Sequence, residues 1–489
     1  MKTPSPKICW LIFLALALLA LAVRLPQLGE RPMHTDESVN AYLTGKLLAG
    51  ESFHYDPQDR HGPALLLIAE PLVKLLGAKN FADLTESELR LTPVIVGSAT
   101  ILLFGAAVEW LGFIPCLIAA LLFVVGSLPV YYSRYFIHET LFVAATFALM
   151  LSGWHALAKN SILFAALAGV CAALMLACKE TAVIHFFALG VALLFSQWPK
   201  LKNKLPPVKI MVAALAAFGL TAILLFTWFG QNWRVFADLL QAIPNFAHRA
   251  GGEGHEKAFT YYFGILDPLF IYFLVAAAGI YAVICDAVAG QRRAGLFVAI
   301  YGVTIFLIYS LIPYKTPWLA LNFWLPLALL CGFGVDGIWQ QFQNATGRWI
   351  AAVAIAALVL VAGQQTKTLA FDYPADEKNP LAYAHTTEDI LNLPVQIAEI
   401  CRQRNLTSPR IAVVAKDAWP LPWYLRKFSQ VGYWQPGTET GDADFFITTT
   451  DVTGPLAERL KNFRPEFFGV RPNVLLILWV PPKSDDRHE

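Results

Sequence analysis

Charge is scarce in this chain: only 15% of its 489 residues are Asp, Glu, Lys or Arg, against 57% that are hydrophobic. So small a polar complement excludes an ordinary soluble globule, and the mean hydropathy of +0.53 agrees. Neither sign of charge dominates. With 37 basic and 35 acidic residues and a formal charge of +2, nothing electrostatic points to a nucleic-acid partner. Cysteine is sparse too. Of seven, six lie in or beside apolar runs and only Cys401 lies in the C-terminal tail, so neither a disulfide framework nor metal-ligand spacing is present. Internal repeats and low-complexity segments are lacking, which removes solenoids and long linkers from consideration.

What the chain has in quantity is uncharged apolar sequence in lengths of about 20 residues, enough for a helix to cross a bilayer. Runs at 8–24, 92–110, 113–131, 139–158, 161–178, 181–198, 209–230, 265–285, 294–312, 318–335 and 349–365 predict about eleven transmembrane helices. Lys2 and Lys7 precede the first run and place the N-terminus in the cytoplasm; Lys200, Lys202, Lys204, Lys209, Arg292 and Arg293 then fall on the same side. An odd number of spans leaves the tail outside. The first run has the basic start and small residues (Ala20, Ala22) of a secretory signal, but an uncleaved helix keeps the alternation and tethers the Asp36 region at the membrane.

Two outer segments are large. Residues 1–365 read as a membrane domain whose outer loop at 26–90 carries two surface helices, 36–49 and 63–76, the second opened by Pro63. Residues 366–489 read as a small extracytoplasmic α/β domain. Helices are expected near 386–402 and 454–462, strands at 411–414, 444–449 and 474–480, and a Pro/Trp-rich turn at 417–424.

The ionisable residues gather at the outer ends of the spans. Asp36 and Glu37 follow Thr35, where acids in a first helical turn are favoured by the helix dipole and Thr35 is a suitable cap; the same carboxylates suit acid–base work. Glu139 opens another span, where an acid must pair, reach water or serve a polar substrate. Arg134 and His138 precede it in an aromatic segment that reads equally as an interfacial belt with a local Arg–Glu pair. Lys179 and Glu180 occupy a very short turn between two spans, with a snorkelling lysine beside a solvated glutamate as the plainer reading. Tyr314, Lys315 and Trp318 sit in a second tight turn, suited to a phosphate and a sugar face or to an interfacial anchor. Residues 248–257, with Arg249, His248 and His255 among three glycines, read as a mobile covering loop or a plain solvated one; the two histidines lack a recognised ligand spacing.

These residues, taken in order, resemble the GT-C fold glycosyltransferases, which include protein O-mannosyltransferases and lipid A aminoarabinose transferases. The closer resemblance is to a bacterial and archaeal family named for its association with flippase activity in protein glycosylation. It is carried by His34-Thr35-Asp36-Glu37-Ser38, His61-Gly62-Pro63, Tyr132-Ser133-Arg134, Cys178-Lys179-Glu180-Thr181, Tyr314-Lys315-Thr316-Pro317-Trp318, Tyr383-Ala384-His385-Thr386 and Leu421-Pro422-Trp423-Tyr424-Leu425-Arg426. Most of the chain is covered.

The resemblance implies an α-helical polytopic membrane protein with a C-terminal soluble α/β domain. It also implies transfer of a sugar from a polyprenyl-phosphate donor to a hydroxyl or amine acceptor outside the cytoplasm. Asp36 would match the family's loop carboxylate near the acceptor, Glu139 its second acid, and Lys179 a position near the lipid phosphate. His61, Arg134, His138, Glu180, Arg249, His255, Tyr314, Lys315 and Trp318 would line the substrate. Glu139 stands where many relatives carry Asp, which leaves a divalent metal open, and no β-trefoil module supports a protein Ser/Thr acceptor. The competing reading is a lipid-linked-sugar flippase or a non-catalytic scaffold. Transporters place ionisable groups at mid-membrane, whereas here only His185 lies well inside a span, where a histidine also serves as a packing residue.

Overall fold

The computed structural model describes residues 4–58, 61–201, 206–252, 254–266, 270–290, 293–341, 344–450, 452 and 454–482. Lys2, Lys202, Lys204, Glu253 and Arg292, which entered the readings above, lie outside them. The chain divides into two compact units built from interleaved stretches. One comprises Met1–Leu28, Ser52–Leu72 and Arg90–Asp372, the other Gly29–Glu51, Val73–Leu89 and Tyr373–Glu489.

The first unit is helical and polytopic. Among the described residues, eight helices are long and apolar enough to cross a membrane, from Pro6–Arg24 to Ala345–Asp372, and Phe113–Val125, Ile162–Cys178 and Ala182–Gln197 are shorter apolar helices. Together they correspond to the eleven runs expected. Burial grades them: Pro317–Gln341 is enclosed along nearly its whole length, whereas Val208–Phe226 is almost wholly uncovered and leaves Val208, Leu215 and Leu220 exposed. In water such apolar faces would mark an interface; on a membrane helix they meet lipid.

Inside, close helix approach relies on small residues. A Cβ on Gly279 would lie 2.0 Å from the Leu330 carbonyl oxygen, a contact that only glycine permits. The first span ends on Arg24, a fully buried guanidinium that donates to Ser133 Oγ at 2.7 Å and to the Phe123 carbonyl at 2.7 Å near the end of the neighbouring helix. Carbonyls left over at a helix end satisfy it. Two readings change here. The run at 113–131 is split by Gly126 into Phe113–Val125 and Ser127–Tyr132. The segment at 248–257 is not all loop, because the helix Val235–Ala250 includes His248 and Arg249 in its last turn.

The second unit carries a five-stranded sheet, with β1 Arg410–Val414, β2 Gln430–Trp434, β3 Phe445–Thr448, β4 Arg464–Arg471 and β5 Val474–Val480 in the order β2-β1-β3-β5-β4. β1 runs parallel to β2 and β3, while β5 is antiparallel to β3 and to β4. The interior strands β1 and β3 are apolar without alternation, as strands covered on both faces are. Ala412, Phe446 and Leu460 form a core cluster beneath them. The helix Thr35–Leu48 belongs to this unit.

Candidate active site

In the first unit, chain ends of several helices bring charged groups together. The helix Ile162–Cys178 stops at Lys179, whose extended backbone turns the chain, and Ala182 starts the next helix. Glu139 opens the helix Glu139–Lys159. Lys179 Nζ and Glu139 Oε1 meet at 2.5 Å, with side chains only 9% and 3% exposed. The buried ammonium is thereby compensated. Burial acts against the charge of Lys179, but the Glu139 carboxylate more than offsets it and raises the lysine pKa above its usual value.

Glu180 faces a different set of partners. It accepts from Tyr55 OH at 2.8 Å through one oxygen and contacts His61 Nδ1 at 3.0 Å through the other. Burial alone would raise its pKa; His61 and the hydrogen bonds outweigh that and bring it down to about 2. The same burial, with the Glu180 charge, pushes the Tyr55 phenol well above its usual range. His61 packs edge-on against His138 at 5.3 Å between ring centroids. His138 is buried, and burial together with His61 and Lys179 holds its pKa well below the ordinary histidine value, which favours the neutral imidazole. Its Nε2 has no hydrogen-bond partner among the described residues. Gly62 permits this packing: a Cβ there would be 2.4 Å from the Ala177 carbonyl oxygen.

The other candidates in this unit brace the backbone. Arg249 donates to the Gln58 carbonyl, linking the end of its helix to the stretch that carries His61. His255 packs on Tyr314 at 4.8 Å, and the neighbouring Glu256 and Tyr314 form a β-bridge. Lys315 is buried, and its ammonium donates to the Ile312 carbonyl at 2.5 Å and the Lys257 carbonyl at 3.2 Å. Burial lowers its pKa. Trp318 is half-buried in the short 3-10 turn Pro317–Leu319. Arg134 is buried, donates to the Gln27 carbonyl at 3.1 Å and lies 4.2 Å over the Phe371 ring, while Glu139 pairs instead with Lys179.

In the second unit the acid pair divides its labour. His34, not Thr35, caps the helix: its Nδ1 accepts from the Asp36 N–H at 3.0 Å, and Glu37 Oε2 accepts from the His34 N–H at 3.1 Å. The other Glu37 oxygen lies 3.8 Å from Arg31, and Glu37 is fully buried. Both of its oxygens are engaged. Asp36 is 49% exposed at the side chain and stands 3.9 Å from His34 Nδ1. The segment is held from the tail by Tyr424 OH, which accepts from Met33 N–H at 2.8 Å, by Thr386, which donates to the Met33 carbonyl at 2.7 Å, and by His385 stacked on His34. Arg471, paired with Asp417 at 2.7 Å, also reaches Thr35.

The sequence did not single out Tyr55, Arg31, Arg471, Tyr301 or Tyr309. Tyrosines in apolar runs carry no signal until a partner is seen. His185 was read as a packing residue, and both its ring nitrogens have tyrosine hydroxyl partners, Tyr301 at 2.7 Å and Tyr309 at 3.2 Å. Among the described residues, no group of three or more His, Cys, Asp or Glu side chains is placed to hold a metal ion.

A sequence model of the family described as dolichyl-phosphate-mannose-protein mannosyltransferase matches residues 61–223, the stretch that contains His61, His138, Glu139, Lys179 and Glu180. The fold is similar to that of ArnT from Cupriavidus metallidurans bound to undecaprenyl phosphate, at 16% identity over 96% of this chain and 97% of that one, with a TM-score of 0.59. It is also similar to the archaeal oligosaccharyltransferase AglB from Archaeoglobus fulgidus in complex with an inhibitory peptide and a dolichol-phosphate (12% identity, 97% and 76% of the two chains, TM-score 0.54). The arabinofuranosyltransferase AftD from Mycobacteria is a third such structure (14%, 99% and 40%, TM-score 0.52). No curated protein sequence matches the chain. The chain therefore has the expected fold, a multi-pass helical membrane protein of GT-C type with a C-terminal mixed sheet.

Proposed function

We propose that this protein transfers a sugar from a polyprenyl-phosphate donor to an acceptor on the outer face of the cytoplasmic membrane. One observation carries the reading: the buried Lys179–Glu139 pair, within the stretch matched by the mannosyltransferase family model. Sealing a charge away from water is costly, so an ammonium kept at a membrane helix end marks a functional site, and its sign suits an anion. The solved structures of this fold that hold undecaprenyl phosphate and a dolichol-phosphate support a lipid phosphate as that anion.

In this reaction the acceptor hydroxyl or amine attacks the anomeric carbon as the bond to the lipid phosphate breaks. The departing phosphate gains negative charge, and Lys179, kept protonated by Glu139, stabilises it. Asp36 takes the acceptor's proton; its exposure, and the lack among the described residues of an ion-pair partner nearer than His34, support that role over Glu37, one of whose oxygens caps the helix while the other faces Arg31. A single displacement inverts the anomeric centre and needs no covalent nucleophile. The neutral His138 is suited to a sugar hydroxyl, since an imidazole without charge both donates and accepts. With the N-terminus cytoplasmic, the loop from 26 to 90 and the tail face outward. The sequence motifs support placement in the flippase-activity-associated glycosylation family.

The test is turnover in liposomes. Purified protein given polyprenyl-phosphate sugars should release polyprenyl phosphate, read by mass spectrometry, and Lys179→Ala should raise the KM for donor far more than for acceptor. Release that is absent from wild type with every donor offered, or a donor KM unchanged by Lys179→Ala, would refute the proposal.

A further inference from the structure

One polar assembly is sealed inside the otherwise apolar spans. His185, in the helix Ala182–Leu201, is fully buried, with Nδ1 2.7 Å from Tyr301 OH and Nε2 3.2 Å from Tyr309 OH. Phe142 closes it off edge-on at 4.7 Å. Both tyrosines are buried and lie on one face of the helix Ala294–Leu311, about two turns apart. A neutral imidazole has one N–H and one lone pair, so it accepts from one hydroxyl and donates to the other. The ring thus fixes the proton of the hydroxyl that donates to it and turns the other hydroxyl's proton away from the ring.

The outer end of this assembly meets the candidate donor site. Tyr309 lies in the last turn of its helix and is within electrostatic reach of both Lys179 and Glu139. His185 lies in the second turn of the helix that follows the Lys179 turn, so the hydroxyl it holds sits close to the chain end that carries the ion pair. The hydroxyl beside the ion pair has little freedom left.

We infer that His185 is a positioning residue for the lipid-phosphate site, acting through Tyr309, whose oriented hydroxyl fixes the geometry of the Lys179–Glu139 pair. The inference rests on the reading of Lys179 as the donor's phosphate contact. Simple interhelical adhesion would not require the His185–Tyr309 contact to alter affinity for an anion at Lys179. An oriented network does require it, and it requires that the two residues act as one.

The experiment measures the Kd of undecaprenyl phosphate for the full chain in nanodiscs, by tryptophan fluorescence, alongside thermal stability. His185→Phe and Tyr309→Phe should each raise Kd by about tenfold, the equivalent of about 1.4 kcal/mol. The double variant should be no worse than either. His185→Gln, which keeps a donor and an acceptor, should recover part of the affinity, and Tyr301→Phe should have the smaller effect of the remote end. Should His185→Phe fail to insert, Tyr309→Phe, which removes one oxygen and keeps the ring, decides. Weaker binding in Lys179→Met with unchanged Kd in both Tyr309→Phe and His185→Phe overturns this inference alone, as does additivity in the double variant. An unchanged Kd in Lys179→Met overturns the donor-site reading and the inference with it.

Discussion

Breaking the Lys179–Glu139 pair from either side should cost far more than removing both partners. The two side chains are 9% and 3% exposed and meet at 2.5 Å, so neither charge has water to fall back on. Removing one partner of a buried pair typically costs about 3–5 kcal/mol, because the other is left as an uncompensated charge. Replacing both with neutral groups of similar volume removes that penalty. Lys179→Met and Glu139→Gln should therefore each lose about 3–5 kcal/mol, and the double variant should fall short of the sum by at least about 2 kcal/mol. Equilibrium unfolding in mixed detergent micelles reads this directly.

The pH dependence adds a second check on the same pair. The folded pKa of Lys179 is raised, against the effect of burial, by Glu139. A raised cation pKa contributes stability that is fully present below the ordinary lysine value, about 10.4, and is lost as pH rises through the higher folded value. Wild type should lose stability above about pH 10 more steeply than Lys179→Met does. Strict additivity of the two single losses, or identical alkaline limbs, would refute the argument that the pair is a buried, mutually compensating unit.

Asp36→Asn should reduce transfer by about 10²–10⁴-fold while leaving stability unchanged, because the carboxylate is exposed, whereas Glu37→Gln should lower stability by about 1–3 kcal/mol through the cap and the Arg31 contact; wild-type turnover in Asp36→Asn removes it as the base. Glu180 has its pKa depressed to about 2, so its contribution to stability is present above the usual carboxylate range and disappears as pH falls toward that value; an acid-unfolding curve for Glu180→Gln should lack that step, and an unchanged curve counts against the His61–Glu180–Tyr55 cluster. In a cysteine-free background, single cysteines at Ser52 and Ser429 should react with an impermeant thiol reagent in intact cells and one at Asn203 should not. Labelling of the tail only after lysis would overturn the outward-facing topology.

The membrane fold was legible because its determinant is local: eleven stretches of helix-spanning length with at most one charged residue each cannot be accommodated in water, whatever their neighbours. The helix at 36–49, the β1, β3 and β5 strands and the helix near 454–462 were also legible, since each carries its own apolar signal, as a helical stripe or a short continuous apolar run. The strands β2 and β4 escaped because they lie at the edges of the sheet, where burial is partial and the pattern weak. The helix Val235–Ala250 escaped because it is amphipathic rather than uniformly apolar and carries Pro244 in its interior, a residue that ordinarily ends a helix. What no reading of neighbours along the chain could supply was pairing across helices. Glu139 stands beside Arg134 in sequence yet meets Lys179 from another helix end, and Lys315, a plausible phosphate ligand by type, is spent on backbone carbonyls. His34 takes the cap that Thr35 was suited to, because Glu37 reaches back to the His34 N–H to complete the box. Composition and hydrophobic length determine which segments cross a membrane, because transfer free energy sums over the residues of a segment; which charges meet depends on helix packing, because a buried ion pair depends on distances of a few ångströms between residues far apart in the chain.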